Sequence, residues 1–245
     1  MNSTFPTSRM QDKSAAVIVA AGVSRRMKGR DKLWTPLSGR MVLSRTVSVF
    51  QASSLINTII LVISAERLSE AMALCRNERW YKVAAVVPGG IHRQDSVRHG
   101  LDALAEISPT CRWVTIHDGA RPFVTPTNLE DGLKAAMEHQ AVTAAVPVKD
   151  TIKEVQQGII ASTLERTRLW MVQTPQVFSF PLIYQAHQLM RQSGHDQEDI
   201  TDDATLLTRL GHQVNIFLGS YTNIKITTQE DLLLAEALLQ GFAAP

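Results

Sequence analysis

The sequence predicts an α/β domain with a mostly parallel central sheet, and three features of the chain support this fold class. Apolar segments of strand length alternate with segments in which apolar residues recur at helical spacing. The first apolar segment, Ala15–Val19, is continuous, which is typical of a parallel strand that is buried on both faces. It ends at Ala20-Ala21-Gly22, where small residues favour a tight loop at the carboxyl end of the strand.

Length and composition fit one domain of this class, which we expect to span residues 14–242. The chain has 245 residues, of which 44% are hydrophobic and 20% are charged, so it can bury a large core without disulfides or metals. A net charge of +2 is too small for nucleic-acid binding through bulk electrostatics. No apolar stretch reaches the roughly 18 residues that span a membrane. Residues 1–13 are expected to form a disordered leader, and the two separated cysteines favour a reducing, cytoplasmic location.

The predicted elements follow one another in the order expected for right-handed βαβ units. Six strands are predicted, at Ala16–Ala20, Thr58–Ile63, Val83–Val87, Trp113–His117, Ala141–Pro147 and Val214–Phe217. Five helices are predicted, at Met41–Ala52, Ala65–Arg76, Asp95–Glu106, Pro126–Gln140 and Pro181–Ser193. A last helix begins at the capping-box sequence Thr228–Asp231. Together these elements predict a Rossmann-like twisted sheet with helices on both faces.

One polar segment, about residues 149–167, interrupts this alternation. It contains β-branched and charged residues on both sides of Gln157-Gly158, a pair that favours a hairpin turn. The segment is too polar for the core, so we expect a protruding β-hairpin arm. Such an arm either grips a partner or is a solvated loop.

Several loops next to the predicted strands combine small residues with side chains that bind anions. Arg25, Arg26 and Lys32 follow the first strand, although the loop has neither the Walker nor the dinucleotide glycine pattern. Taken alone, this loop is equally compatible with a phosphate site and with a solvated basic surface. Further loops of this kind occur at Pro88–Ser96, His117–Pro122, Gln173–Gln176 and Asn223–Thr227. Because loops of an open parallel sheet converge on one crevice, the sequence predicts a nucleotide site there.

The loop sequences in order are AAGxxxRM, a following lysine, GGxxRxDSV, HDxARP, DT, TPQ, ITDxA and NIKxT. From about Ala16 to Ala237, the chain resembles 2-C-methyl-D-erythritol 4-phosphate cytidylyltransferases. The resemblance implies transfer of a cytidylyl group from CTP to methylerythritol phosphate, with release of pyrophosphate and with Mg²⁺ as cofactor. Because the attacking phosphate is already ionised at neutral pH, no general base is needed. This agrees with the lack of an obvious Ser-His or Cys-His arrangement in the sequence.

The resemblance also implies roles for individual residues. The catalytic cations would be Arg26, Lys32 and Lys225. Nucleotide contacts would come from Ala20, Ala21, Gly22, Ser24, Gly90, Ser96, Asp118 and Gly119, with Gly90 and Ser96 reading the cytosine and Asp118 holding Mg²⁺. Substrate contacts would come from Arg121, Thr151, Arg166, Thr174 and Thr201. Thr151 and Arg166 match residues that reach a neighbouring subunit's site from the arm, which implies a homodimer.

Two positions depart from the family pattern, and three other functions remain open. Ser24 stands where glycine is frequent, and Ile91 stands where some members have an acidic residue. A ribitol 5-phosphate cytidylyltransferase would share the fold and most of the loop motifs. The TPQ, ITD and NIK motifs disfavour a sugar-1-phosphate nucleotidyltransferase. A catalytically silent nucleotide-binding subunit is disfavoured because the predicted cations and Asp118 are retained together.

Overall fold

A computed structural model describes residues 13–22, 31–192 and 200–243. Its strands are β1 (Ser14–Ala20), β2 (Pro36–Leu37), β3 (Arg40–Met41), β4 (Thr58–Ile63), β5 (Val83–Pro88), β6 (Trp113–Asp118), β7 (Ala141–Pro147), β8 (Lys153–Gln156), β9 (Ile159–Thr163), β10 (Trp170–Ser179) and β11 (Asn215–Leu218). Its helices are α1 (Val42–Ala52), α2 (Leu68–Asn77), α3 (Arg93–Ile107), α4 (Pro126–His139), α5 (Phe180–Gln192), α6 (Asp203–Arg209) and α7 (Gln229–Ala243). The predicted leader, up to residue 12, and the predicted helix end at Ser193 lie outside the described residues.

The central sheet has seven strands in the order β11-β7-β10-β6-β1-β4-β5. Strand β1 pairs in parallel with β4 on one side and with β6 on the other, which places Ala20 beside Ile63 and Val19 beside Asp118. The carboxyl ends of β1, β4 and β6 therefore lie at one edge of the sheet. From β1 the chain adds β4 and β5 on one side of the sheet and then β6 on the other side, so the strand order reverses at β1. Open α/β sheets bind ligands in the crevice at such a point.

The residues of β1 alternate between two hydrophobic cores. Val17 packs in a core with α3 and α5, whereas Ala16 and Ile18 pack in a second core with α1. Helices therefore cover both faces of the sheet, as predicted. This double burial explains why the sequence of β1 is apolar at consecutive positions.

Strand β10 was missed, and the prediction that residues 173–176 form a loop is wrong. The ten-residue strand runs antiparallel to both β6 and β7, with a register shift between Val172 and Gln176. Pro175 and the polar residues on either side of it concealed the strand, because proline usually excludes an interior strand. The strand tolerates these polar residues because they bond inside the protein; for example, Gln176 Nε2 donates to Thr143 Oγ1 at 2.9 Å.

The arm is the predicted β-hairpin. Strands β8 and β9 form a separate two-stranded sheet joined at Gln157 and Gly158, whose φ angles are +51° and +83°. Positive φ at both turn positions fits the right-handed twist of a hairpin. The apolar side chains of Val155, Ile159 and Ile160 are 55%, 73% and 61% exposed.

No helix among the described residues combines the length and apolar character needed to cross a bilayer.

Candidate active site

The loops at the carboxyl edge of the sheet surround a cavity of about 190 Å³. Eight of the residues predicted for the site line it: Ala20, Ala21, Gly22, Lys32, Gly90, Ser96, Asp118 and Lys225. These residues come from four separate loops, and parallel strand ends bring them together. Ser24 and Arg26 lie outside the described residues.

Asp118, the last residue of β6, gathers three cations around one buried carboxylate. Lys225 Nζ lies 2.8 Å from Oδ2, Arg93 Nε lies 3.5 Å from Oδ1, and Arg121 Nε lies 3.6 Å from Oδ2. Burial alone would raise the pKa of Asp118, but the three cations outweigh burial and hold the pKa far below its usual value. Asp118 is therefore a fixed anion, and the cations around it are held close together.

Arg93 has a second carboxylate partner behind the cavity. Its Nη1 atom donates to Asp203 Oδ2 at 2.7 Å, and the other oxygen of Asp203 accepts from His187 Nε2 at 3.0 Å. Burial disfavours the charged guanidinium, yet Asp203 and Asp118 together raise the pKa of Arg93. Arg93 belongs to the GGxxRxDSV motif, but the motif alone predicted no role for it. A buried ion pair with Asp203 of the ITDxA motif could not be inferred from either motif alone.

The loop after β6 is held by hydrogen bonds along its backbone. Gly119 N donates to Val19 O at 2.8 Å, and Thr46 Oγ1 donates to Gly119 O at 2.9 Å. A Cβ atom on Gly119 would lie 2.9 Å from Ala20 Cβ, so the close approach to β1 requires glycine. Both polar backbone groups of Gly119 are thus engaged inside the protein. This geometry favours a packing role over the predicted nucleotide contact.

Arg121 contacts the carboxylate of Asp118, and Thr174 contacts its backbone amide. Arg121 also donates from Nη1 to Asn223 O at 2.7 Å, which ties it to the loop that carries Lys225. Thr174 is buried on β10, and its hydroxyl accepts from Asp118 N at 3.1 Å. Thr174 therefore supports Asp118 directly, and its predicted contact with substrate stays a prediction.

His117 lies beneath this loop and is completely buried. Its Nδ1 atom is 3.0 Å from Thr174 Oγ1, and its Nε2 atom is 3.2 Å from Arg121 O. Burial lowers the pKa of His117 to about 4, so the ring is neutral near pH 7.

The start of α3 forms the opposite wall of the cavity. Gly90 N donates to Ser96 Oγ at 3.1 Å, and Ser96 Oγ donates to His92 O at 3.2 Å. A Cβ atom on Gly89 would lie 2.2 Å from Ala21 Cβ, so this loop packs tightly against the end of β1. The side chain of Ile91 is 94% exposed. The Ser96 hydroxyl thus stabilises the loop, and the predicted contact of Gly90 and Ser96 with cytosine stays a prediction.

None of the five residues predicted to bind substrate lines this cavity in a single copy of the chain. Arg121 and Thr174 contact Asp118, whereas the other three are exposed and lie on other segments. Thr151 and Arg166 are exposed at the base of the arm, where Arg166 Nη1 donates to Lys149 O at 2.9 Å. Thr201 is exposed just before Asp202, the N-cap residue of α6. Their predicted roles need either a second subunit or a different position of these segments.

Comparison with known proteins gives one consistent result. The family model described as IspD, 2-C-methyl-D-erythritol 4-phosphate cytidylyltransferase, matches residues 14–241. The 2-C-methyl-D-erythritol 4-phosphate cytidylyltransferase of Dehalococcoides mccartyi (strain ATCC BAA-2266 / KCTC 15142 / 195) is 48% identical over 232 residues, covering 94% of this chain and 98% of the relative. That of Geobacillus kaustophilus (strain HTA426) is 44% identical, covering 91% of this chain and 96% of the relative.

Solved structures agree with these relatives. The crystal structure of 4-diphosphocytidyl-2C-methyl-D-erythritol synthase from Anaerococcus prevotii DSM 20548 superposes with a TM-score of 0.80 at 31% identity, covering 94% of this chain and 99% of that one. These matches confirm the resemblance, the fold class and the cytidylyltransferase class inferred from the motifs. The chain belongs to the 2-C-methyl-D-erythritol 4-phosphate cytidylyltransferase family.

Proposed function

We propose that this protein transfers the cytidylyl group of CTP to 2-C-methyl-D-erythritol 4-phosphate and releases pyrophosphate. Family membership over nearly the whole chain supports this activity. The structural observation that carries it is the group of three cations within 3.6 Å of Asp118, at the edge of a cavity that Lys32 also lines. Both substrates are phosphates, so the site must offset several negative charges at once.

The cations suit the charge that develops during the reaction. When a substrate phosphate attacks the α-phosphorus of CTP, negative charge accumulates on the oxygens of the five-coordinate phosphorus. Positive groups fixed before the substrates arrive stabilise that charge without reorganising. Lys225 is oriented by its contact with Asp118 and also lines the cavity, so its ammonium group can approach the reacting phosphates.

The residues present fit a bound Mg²⁺. Asp118 supplies an ionised carboxylate at the cavity, and Mg²⁺ is usually held by one or two carboxylates together with substrate phosphates. No group of three or more potential ligand side chains occurs among the described residues, so phosphate and water oxygens would complete the coordination shell. When bound, the ion would offset phosphate charge next to the cations.

The acceptor is tested by measuring pyrophosphate release from CTP and Mg²⁺ with either methylerythritol phosphate or ribitol 5-phosphate. We expect release with the first acceptor only. Release with ribitol 5-phosphate alone would reassign the substrate, and no release with either would favour the silent nucleotide-binding subunit. Lys225→Met should abolish most of the release, whereas Lys134→Met, an exposed residue of α4 outside the site, should retain it.

We further propose that the chain acts as a homodimer in which the arm completes the partner's site. The exposed apolar residues Val155, Ile159 and Ile160 offer a surface for a second copy, and Arg166 does not line the cavity of its own copy. Replacing Ile159 and Ile160 with glutamate should convert a dimer to a monomer in light-scattering measurements. A monomeric wild-type protein would refute the proposal.

A cytoplasmic location stays a prediction.

A mixing experiment tests whether Arg166 acts across the interface. The variants Arg166→Ala and Lys225→Met should each be nearly inactive alone. In a heterodimer, one site would combine the intact Lys225 of one copy with the intact Arg166 of the other. Equal mixing with subunit exchange should therefore restore about a quarter of the wild-type activity, since half of the dimers would each have one working site. No recovery would mean that Arg166 acts within its own chain or outside the site.

A further inference from the structure

His117 is hydrogen-bonded to the loop that carries Asp118 and Arg121, but the proposed reaction gives its side chain no role. It lies on β6 next to Asp118, and its ring packs against Phe50 with centroids 5.1 Å apart. An apolar residue would suit a completely buried strand position at lower cost, because both ring nitrogens of histidine need hydrogen-bond partners when buried. Both nitrogens have such partners here, and both partners belong to the site.

The directions of these hydrogen bonds follow from the groups involved. Arg121 O can only accept, so His117 Nε2 carries a hydrogen and donates to it. Asp118 N can only donate, so it donates to Thr174 Oγ1. The hydroxyl hydrogen of Thr174 then points to His117 Nδ1, which accepts it. A neutral ring protonated at Nε2 satisfies every group in this chain of bonds.

This chain of bonds connects both ends of the loop that carries Asp118 and Arg121. At one end His117 acts through Thr174 on the amide of Asp118, and at the other it bonds directly to the carbonyl of Arg121. The loop is further closed by the bond from Arg121 N to Asp118 O at 3.0 Å. A shift of the ring would therefore move the carboxylate and the guanidinium relative to each other.

We propose that His117 is a positioning residue that sets the placement of Asp118 through Nδ1 and of Arg121 through Nε2. The inference rests on the proposed function, because it assigns the two bonds to two parts of that reaction. The bond through Thr174 places the carboxylate that orients Lys225, so it acts on turnover. The bond to Arg121 places a predicted acceptor-binding guanidinium, so it acts on acceptor affinity.

Two substitutions separate the bonds. His117→Asn keeps an acceptor near the position of Nδ1 and removes the donor to Arg121, whereas His117→Gln keeps a donor near the position of Nε2 and removes the acceptor for Thr174. We expect His117→Asn to raise the acceptor KM about fivefold to tenfold with kcat nearly unchanged, as expected for one lost hydrogen bond. His117→Gln should show the opposite split. Thr174→Val should resemble His117→Gln and add little to it in the double variant.

Controls distinguish positioning from general destabilisation. Leu104→Ala creates a cavity in the core between α3 and the sheet, and it should lower the melting temperature without changing either kinetic constant at 25 °C. Equal effects of His117→Asn and His117→Gln on both constants, or no effect of either, would overturn the inference.

Calorimetry provides a readout that does not need turnover. The Kd of methylerythritol phosphate should rise in His117→Asn, because the affinity is weaker, and stay unchanged in His117→Gln. A wild-type protein that releases no pyrophosphate would refute the proposed function. The calorimetric split would still support the placement of Arg121, and equal affinities in the two variants would refute it.

Discussion

Replacing Asp203 with asparagine should strongly destabilise the protein, although the change removes one charge and almost no volume. The side chain is 2% exposed and bonds to Arg93 and His187 through its two oxygens. The asparagine amide would retain one acceptor oxygen, but it would present an NH₂ group to one of two donors. Arg93 would then keep its buried positive charge but lose the carboxylate at 2.7 Å, while Asp118 stays 3.5 Å away.

The magnitude follows from the burial of both partners. Breaking a buried ion pair by removing one charge costs about 3–5 kcal/mol of unfolding free energy. For a domain of this size, that loss corresponds to a melting temperature lower by about 6–20 °C. The cations and hydrogen bonds outweigh burial and lower the pKa of Asp203, so its contribution is fully present above the unfolded pKa of about 4. The contribution is lost as the pH falls below that value, because the unfolded state takes up the proton first.

Chemical denaturation at pH 7 and at decreasing pH below 4 measures this loss. Glu70→Gln is the matched control, because Glu70 is 56% exposed and pairs with Arg67 on the surface; we expect it to cost less than about 1 kcal/mol. If Asp203→Asn cost no more than Glu70→Gln at pH 7, the reasoning about the buried pair would be refuted. The difference between wild type and Asp203→Asn should also shrink as the pH falls.

Four further predictions follow from single residues. Lys225→Met should reduce kcat by about 10²–10³, as for the loss of one preorganised charge at a reacting centre, and steady-state kinetics check this. His117 has a pKa of about 4 in the folded state, whereas the unfolded value is about 6.5. The folded state thus rejects a proton that the unfolded state binds, so unfolding free energy should fall by up to about 3 kcal/mol from pH 6.5 to 4, and His117→Gln should remove that slope. Gly100→Ala would place a Cβ atom 2.5 Å from Val17 Cγ1 and should cost about 1–3 kcal/mol. Gly241→Ala on α7 meets no atom within 4 Å and should gain about 0.5–1 kcal/mol in the same denaturation assay.

The sequence predicted those parts of the molecule that depend on local pattern. The continuous apolar sequence of β1 requires helices on both faces, and the loop after it must lie at the carboxyl edge of a parallel sheet. The same rule places the loop of Lys225 near that of Asp118, although the two residues are far apart in the chain. The contact of 2.8 Å between them is the structural consequence of that rule.

The parts that could not be predicted depend on which polar groups are buried together. Strand β10 carries polar residues that resemble a loop until Thr143 and Asp118 are known to be their partners. Likewise, the sequence motif predicts that the Thr174 hydroxyl contacts substrate. In the structure this hydroxyl accepts from Asp118 N and donates to His117 Nδ1. Local pattern gives the position of such residues along the chain, but not the distant group that satisfies them.

The ring of cations around Asp118 explains how a site for two phosphate substrates can exist before either one binds. Arg93, Arg121 and Lys225 repel one another, and burial would favour loss of charge or separation of the side chains. Asp118 opposes this repulsion from the centre of the group, and Asp203 does so from behind Arg93. The unfavourable arrangement of like charges is therefore stabilised by folding, not by substrate. A phosphate that enters the cavity meets donors already in place, and charges that need no reorganisation stabilise the transition state more effectively.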